Sequence, residues 1–249
     1  MQAGAAVSAR GADTRHGLLL AAAIGTAWLT LHVGPIFFWR WRLATVPVAA
    51  GLILVQTWLS TGLFIIAHDC MHGAFAPGRR CVNTAVGTLC LGAYAALSYA
   101  ALLPQHHAHH RAPGTPDDPD FHYAAPRRLL PWFAGFVRNY YTHGQLIRIT
   151  VAALVYLAFG ASLVNIVAFW ALPALLALAQ LFVFGTYLPH RHEDTPFMDH
   201  HNARSNGLSP LVSLVTCFHF GAYHHEHHLS PATPWWHLPR LRTTRQRLR

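Results

Sequence analysis

The chain contains no lysine at all. Only 11% of its 249 residues are charged and just nine are acidic, against about 25% charged in an ordinary soluble domain. So little charge beside 53% hydrophobic residues excludes a typical water-soluble fold. Cysteine is scarce too: Cys70, Cys81, Cys90 and Cys217 show no C-x-x-C spacing, which argues against a thiolate metal site or disulfide framework and predicts free, buried thiols. There is no internal repeat and no low-complexity linker, so neither a solenoid nor a chain of modules is expected. The simplest account is one domain over 1–249, with a polar lead over 1–17 and a basic tail over 240–249.

What the chain has instead is apolar length. Runs of about 20 residues, enough to cross a hydrocarbon core near 30 Å thick, cover about 18–39 and 46–67, with Arg40 and Arg42 in the link between them. A second hairpin is predicted from about 147–169 and 171–188, with Gly160 and Pro173 permitting the turn. The fold expected is all-α, an integral membrane four-helix type. Of the 18 arginines only Arg40 and Arg42 fall on the far side, so the positive-inside rule puts both termini in the cytoplasm. The basic tail RLRTTRQRLR reads as part of that signal, and no nucleic-acid partner is expected. Residues 82–103 form a further apolar segment containing Gly87, Gly92 and Ser98. Histidines flank it on both sides, so it is expected to lie in the interface or to re-enter as a broken helix, leaving both flanks on one face.

The second abundance is histidine, 20 residues in all. His68 and His72 in HDCMHG stand at i, i+4 and share one helix face. His106, His109 and His110 in HHAHH repeat the pattern as i, i+3, i+4, and His224, His227 and His228 in HHEHH do so again. His190, in GTYLPHR, ends the last predicted span. A lone histidine near a membrane surface is usually a packing residue. Nine gathered on one face would repel or stay unsatisfied unless something bound their nitrogens, so a metal site is the reading adopted. Zinc closes with four ligands; nine imidazoles suit two ions of higher coordination number, and iron gives such a site chemistry on O₂. His200, His201 and His219 stand near enough to be rival ligands. Asp69 and Glu226 adjoin ligand histidines, and Asp117, Asp118 and Asp120 follow the second box, so ring orientation from outside the ligand set is open to each, as is plain capping or turn formation. Asn202 and Arg204 could line the entrance or cap a helix, and Trp235 and Trp236 read as interfacial anchors.

In these motifs the chain resembles the membrane fatty-acid desaturase and hydroxylase superfamily, with its H-x(3–4)-H, H-x(2–3)-H-H and H-x-x-H-H boxes plus one late histidine. In HDCMHG, HHAHHRAPGTPDDPDFH, FVFGTYLPHRHE, HHNARSN and SLVTCFHFGAYHHEHHLSPATPWWHLP it is similar to a narrower branch, the bacterial β-carotene ketolases. Pro116 and His107 depart from the pattern of that branch. The resemblance implies a cytoplasmic di-metal site in the bacterial inner membrane, two Fe²⁺ ions held by the nine histidines, O₂ as co-substrate, and a ferredoxin-type external reductant. It also implies a carotenoid substrate whose ring C4 is hydroxylated twice and loses water, turning β-carotene into echinenone and canthaxanthin, and hydroxylated carotenoids toward astaxanthin. Acyl-lipid desaturation or alkyl hydroxylation would use the same ligands. A histidine-rich metal transporter is a remote alternative, because it would carry its ligands within the spans rather than at their ends.

Overall fold

Apolar runs bounded by Arg, Gly and Ser dictate helices, and in the computed structural model the regular secondary structure of the described residues is all helical. It describes residues 2–247, with side chains described for 13–244. Of the predicted lead and tail, Met1, Leu248 and Arg249 lie outside the described residues, as do the side chains of 2–12 and 245–247. Helix α1 (Gln2–Phe38) begins well before residue 18, because the lead is alanine-rich and free of proline and so continues the helix. With α2 (Val46–Met71) it forms the predicted hairpin, closed by a short 3₁₀ turn at Leu43–Thr45.

The segment after the first histidine box doubles back. Helix α3 (Arg80–Ala95) and α4 (Tyr99–Arg111) meet at 101°. Ala96 takes a left-handed conformation, φ 52°, and Ser98 caps α4 by accepting the Ala101 N–H. The carbonyls released at the apex are met from elsewhere: Arg148 donates to Ala96 O from Nε at 2.9 Å and Nη2 at 2.7 Å, and Gln145 Nε2 donates to Ala95 O at 2.8 Å. Irregular backbone inside an apolar bundle needs such partners.

The second predicted hairpin is corrected. Helix α5 (Leu129–Tyr140) and α6 (His143–Ala158) precede a break at Gly160, φ 90°, and α7 runs unbroken from Leu163 to His190. The turn therefore falls at Gly160, and Pro173 sits inside α7. Two π-helical stretches, Val167–Ala171 and Phe182–Tyr187, interrupt the regular ladder of α7. The first leads directly to Pro173, and such a widening is one way a helix accommodates a residue with no N–H. Three shorter helices complete the chain: α8 (Pro210–Cys217), α9 (His224–Leu229) and α10 (Leu238–Arg247).

Three helical stretches, Asp13–Phe38, Leu43–Met71 and Leu163–His190, are long and apolar enough to cross a bilayer, and the bent pair makes a fourth if counted as one span. They carry outward-facing apolar residues such as Leu19, Leu54 and Leu175, each more than 60% exposed, as a lipid-facing surface demands. The apolar helices are those of an integral membrane protein. At one end Ile36, Ala49, Ala161, Ile166, Phe169 and Trp170 form an apolar cluster. At the other, α2 carries His68 in its last turn and is capped by His72, and α7 ends in His190. Three of the four thiols are buried as expected, but Cys81 is exposed, near the start of α3 on its outward side. Trp235 is corrected as well: it is buried, and its backbone N–H donates to Asp69 Oδ2 at 2.9 Å, so it packs in the core rather than anchoring an interface.

Candidate metal centre

Each histidine box lies on a helix, so i, i+4 spacing turns pairs of rings the same way. The tertiary fold then sorts the nine rings into two groups. His68, His72, His106, His110 and His227 form one; His109, His190, His224 and His228 form the other, and within each group one nitrogen from every ring lies within 4.8 Å of all the rest. The pairs His68/His72 and His106/His110 serve the first group, and His224/His228 serves the second. His109 and His227 cross over, so the second and third boxes each feed both groups.

The shortest approaches are between Nε2 atoms: His72 to His106 at 2.7 Å, His110 to His227 at 3.1 Å, His190 to His224 at 2.9 Å, His224 to His228 at 3.0 Å and His109 to His228 at 3.3 Å. His224 Nε2 thus has two imidazole neighbours, and so has His228. A neutral ring has a single N–H, and Nδ1 of His68, His224, His227 and His228 is buried with no partner. Hydrogen bonding alone therefore leaves the cluster poorly satisfied. A shared ion fits better, since two nitrogens about 2.1 Å from one cation and at right angles stand about 3.0 Å apart. Burial, reinforced by neighbouring imidazoles, holds His224, His227 and His228 well below the ordinary imidazole pKa. These rings are therefore neutral near pH 7, with a lone pair free to donate. The two clusters are consistent with a metal site.

Contacts behind the rings differ. His109 Nδ1 lies 3.0 Å from both oxygens of Asp118, which also accepts the N–H groups of Gly114 at 2.7 Å and Asp120 at 2.9 Å. Burial pushes the Asp118 carboxyl up, but those bonds outweigh it and leave the group below the usual carboxylate range. Asp120 has an oxygen 3.8 Å from the same ring nitrogen and accepts the Tyr140 hydroxyl; burial and the neighbouring Asp118 push it up to about 6. His190 Nδ1 donates to the backbone carbonyl of Asn202 at 2.8 Å, while the Asn202 side chain donates to Pro113 O. An oxygen of the fully buried Asp69 carboxylate stands 3.8 Å from His68 Nδ1, beyond hydrogen-bond reach.

The remaining predicted residues lie outside the two groups. Asp117 is exposed, with its N–H on Thr115 Oγ1. Glu226 faces away from the histidines and accepts from Arg242 and Ser205. His225 Nε2 pairs with Asp199 at 2.8 Å, and His219 sits against Trp235 and Tyr223. His200 and His201 pack against one another with their rings tilted by 36°, and Arg204 donates to the carbonyls of Arg191 and Thr195. His107, outside both groups, donates Nε2–H to Met71 O at 3.1 Å and ties α4 to the end of α2. Sequence spacing gave no signal for that bond or for the Asn202 carbonyl, since backbone acceptors leave no residue signature.

The fold and its histidine pairs define a class. The Fatty acid desaturase sequence profile matches residues 43–148 and 138–248, and the chain belongs to the fatty acid desaturase family. Among individual proteins it is 48% identical to the Beta-carotene ketolase of Paracoccus sp. (strain PC1) over 233 residues, 93% of this chain and 94% of that one. It is 37% identical to the Zeaxanthin 4-ketolase of Chlamydomonas reinhardtii over 237 residues, 91% of this chain and 53% of that one. The similarity to the Delta(12)-acyl-lipid-desaturase of Punica granatum is 26% over 119 residues, 47% of this chain.

Proposed function

We propose that this chain is a β-carotene ketolase, a membrane oxidoreductase that converts the C4 methylene of a β-ionone ring to a ketone. The observation that carries the reading is 48% identity to β-carotene ketolases across more than nine-tenths of the chain, set beside the convergence of nine imidazoles into two donor groups. The acyl-lipid desaturases match less than half of the chain at 26–30% identity, which favours a carotenoid over an acyl substrate.

In this reading the nine histidines would hold two iron ions, five rings at one and four at the other. Bound iron with open coordination positions would supply reduction of O₂ to an oxidant able to attack an unactivated C–H bond. The protein's own residues do the positioning. Asp118 fixes the His109 ring by accepting its Nδ1–H, and the Asn202 carbonyl does the same for His190, so both present Nε2 to the second group. Phe220, with its ring centroid 4.5 Å from that of His68 and 4.8 Å from that of His227, sets an apolar wall against the first group. Each of two rounds consumes one O₂, two electrons and two protons, inserts one oxygen at C4 and releases one water. The resulting gem-diol loses a further water to leave C=O. The electrons come from an external donor of ferredoxin type, and arginines at the histidine end would favour an acidic one. The arginine bias supports a cytoplasmic position for that end in a bacterial inner membrane.

The test is the pigment profile of a β-carotene-accumulating bacterium expressing this chain, beside a His227→Ala control. The expected product has lost two hydrogens and gained one oxygen on a ring, and is absent from the control. Unchanged β-carotene, with the protein in the membrane and a competent reductant supplied, would overturn the ketolase reading.

A further inference from the structure

The last helix, α10, arrives at the metal centre from outside every histidine box. Its Arg242 reaches α9, the short helix that carries His224, His227 and His228. Nε donates to Glu226 Oε1 at 2.7 Å and Nη2 to Glu226 Oε2 at 3.1 Å. Nη2 also donates to the Ala222 carbonyl, and the guanidinium carbon lies 4.1 Å from the centroid of the Tyr223 ring. Glu226 in turn accepts the Ser205 hydroxyl, whose oxygen accepts the His225 N–H at 3.0 Å. One arginine therefore grips the two residues just before α9 and the only carboxylate within it.

A six-residue helix has too few internal hydrogen bonds to be stable by itself. Its three candidate ligands nonetheless serve both groups, His227 in the first and His224 with His228 in the second. Their Nδ1 atoms have no partner to orient the rings, so ring placement depends on where the helix backbone sits. A planar fork on a carboxylate fixes angle as well as distance, which a single ammonium does not.

We propose that Arg242, acting through Glu226, is a positioning residue of the metal centre: it holds the third-box helix so that its histidines reach both ions. The C-terminal basic stretch is thus part of the site as well as a marker of orientation. The inference rests on the metal-centre part of the reading above and is independent of which substrate is oxidised.

The experiment uses the full chain in detergent, loaded with iron(II), and follows iron release to a chelator with no carotenoid present. Arg242→Gln and Glu226→Gln are each expected to speed release by about tenfold or more, the scale seen when residues that orient metal ligands are removed. The double variant is expected to be no faster than the quicker single, because both remove one interaction. Arg242→Lys is expected to fall between Gln and wild type. In membranes with β-carotene, kcat is expected to fall while KM stays within about twofold, since the pair positions the helix that carries the ligands. Release within about twofold of wild type in both single variants, or rates in the double that multiply, would overturn the proposal, as would a change confined to KM. If Arg242→Gln does not accumulate, Arg242→Lys and the double variant decide: wild-type release from both overturns it. A wild-type chain that binds no iron removes the metal reading and this inference together, whereas one that binds iron but makes no ketone removes only the ketolase reading.

Discussion

The two histidine groups are built from the same side chain yet held by different means. In the second, two of four rings are fixed from behind, His109 by Asp118 and His190 by the Asn202 carbonyl. In the first, His68 and His227 keep buried Nδ1 atoms with no partner, as His224 and His228 do in the second, and placement comes mainly from helix register, with two i, i+4 pairs at the ends of α2 and α4. Register alone tolerates ring rotation about the side-chain bonds, whereas a carboxylate behind the ring does not. The second group is therefore the more preorganised one, and the first would depend more on a bound ion to order it.

The most severe way to break this comparison is to remove one ligand from each group. His72→Ala and His228→Ala are each expected to abolish ketone formation and to leave about one ion per chain, the intact group keeping its own. Metal analysis of the purified variants checks it, and two ions retained in both would show that the groups are not separate donor sets. Asp118→Asn comes next: it is expected to speed iron release from the second group about 10–100-fold and to leave the first group's rate alone. In the wild-type chain, chelation is expected to proceed in two phases, the first group emptying faster. A single phase would remove the distinction drawn here.

Smaller effects fall on both groups together, because α4 feeds each of them. Arg148→Leu strips the donor from Ala96 O at the bend and is expected to cost about 1–3 kcal/mol of stability, read as a lower thermal midpoint with the two release phases shifted alike. The smallest change is a gain. Ala96→Gly relieves a left-handed residue at about 1–2 kcal/mol, partly offset by the extra chain entropy of glycine, so the midpoint should rise slightly and the ratio of the two release rates stay unchanged.

The predicted and observed molecules agree where periodicity decides. Histidines at i, i+4 declare a common face, and the Gly/Ser-bearing segment between two boxes declares a return. What stayed hidden needed the third dimension. Which of His106, His109 and His110 goes to which group depends on the approach of α9 and α7, and no spacing states it. Asp117, Asp118 and Asp120 read alike in the loop, but only the burial of Asp118 and its backbone donors separate it from the exposed Asp117. The mistaken turn near residue 170 has a local cause: an uncharged apolar run with a proline invites a break, and a π-helical stretch absorbs the proline instead. Arg242 was read as topology because a basic tail beside membrane spans has that simpler explanation.

The capped bend also sets an order of events during synthesis. The carbonyls of Ala95 and Ala96 find their donors on Gln145 and Arg148, 50 and 52 residues further along the chain. At about 5–20 residues per second a ribosome needs roughly 3–10 s to cover that interval. Throughout it the nascent hairpin carries bare peptide carbonyls at its apex, in the company of lipid or of the insertion machinery. The arrival of α6 therefore closes the bend, and the second histidine box is fixed in place only after a later part of the message has been read.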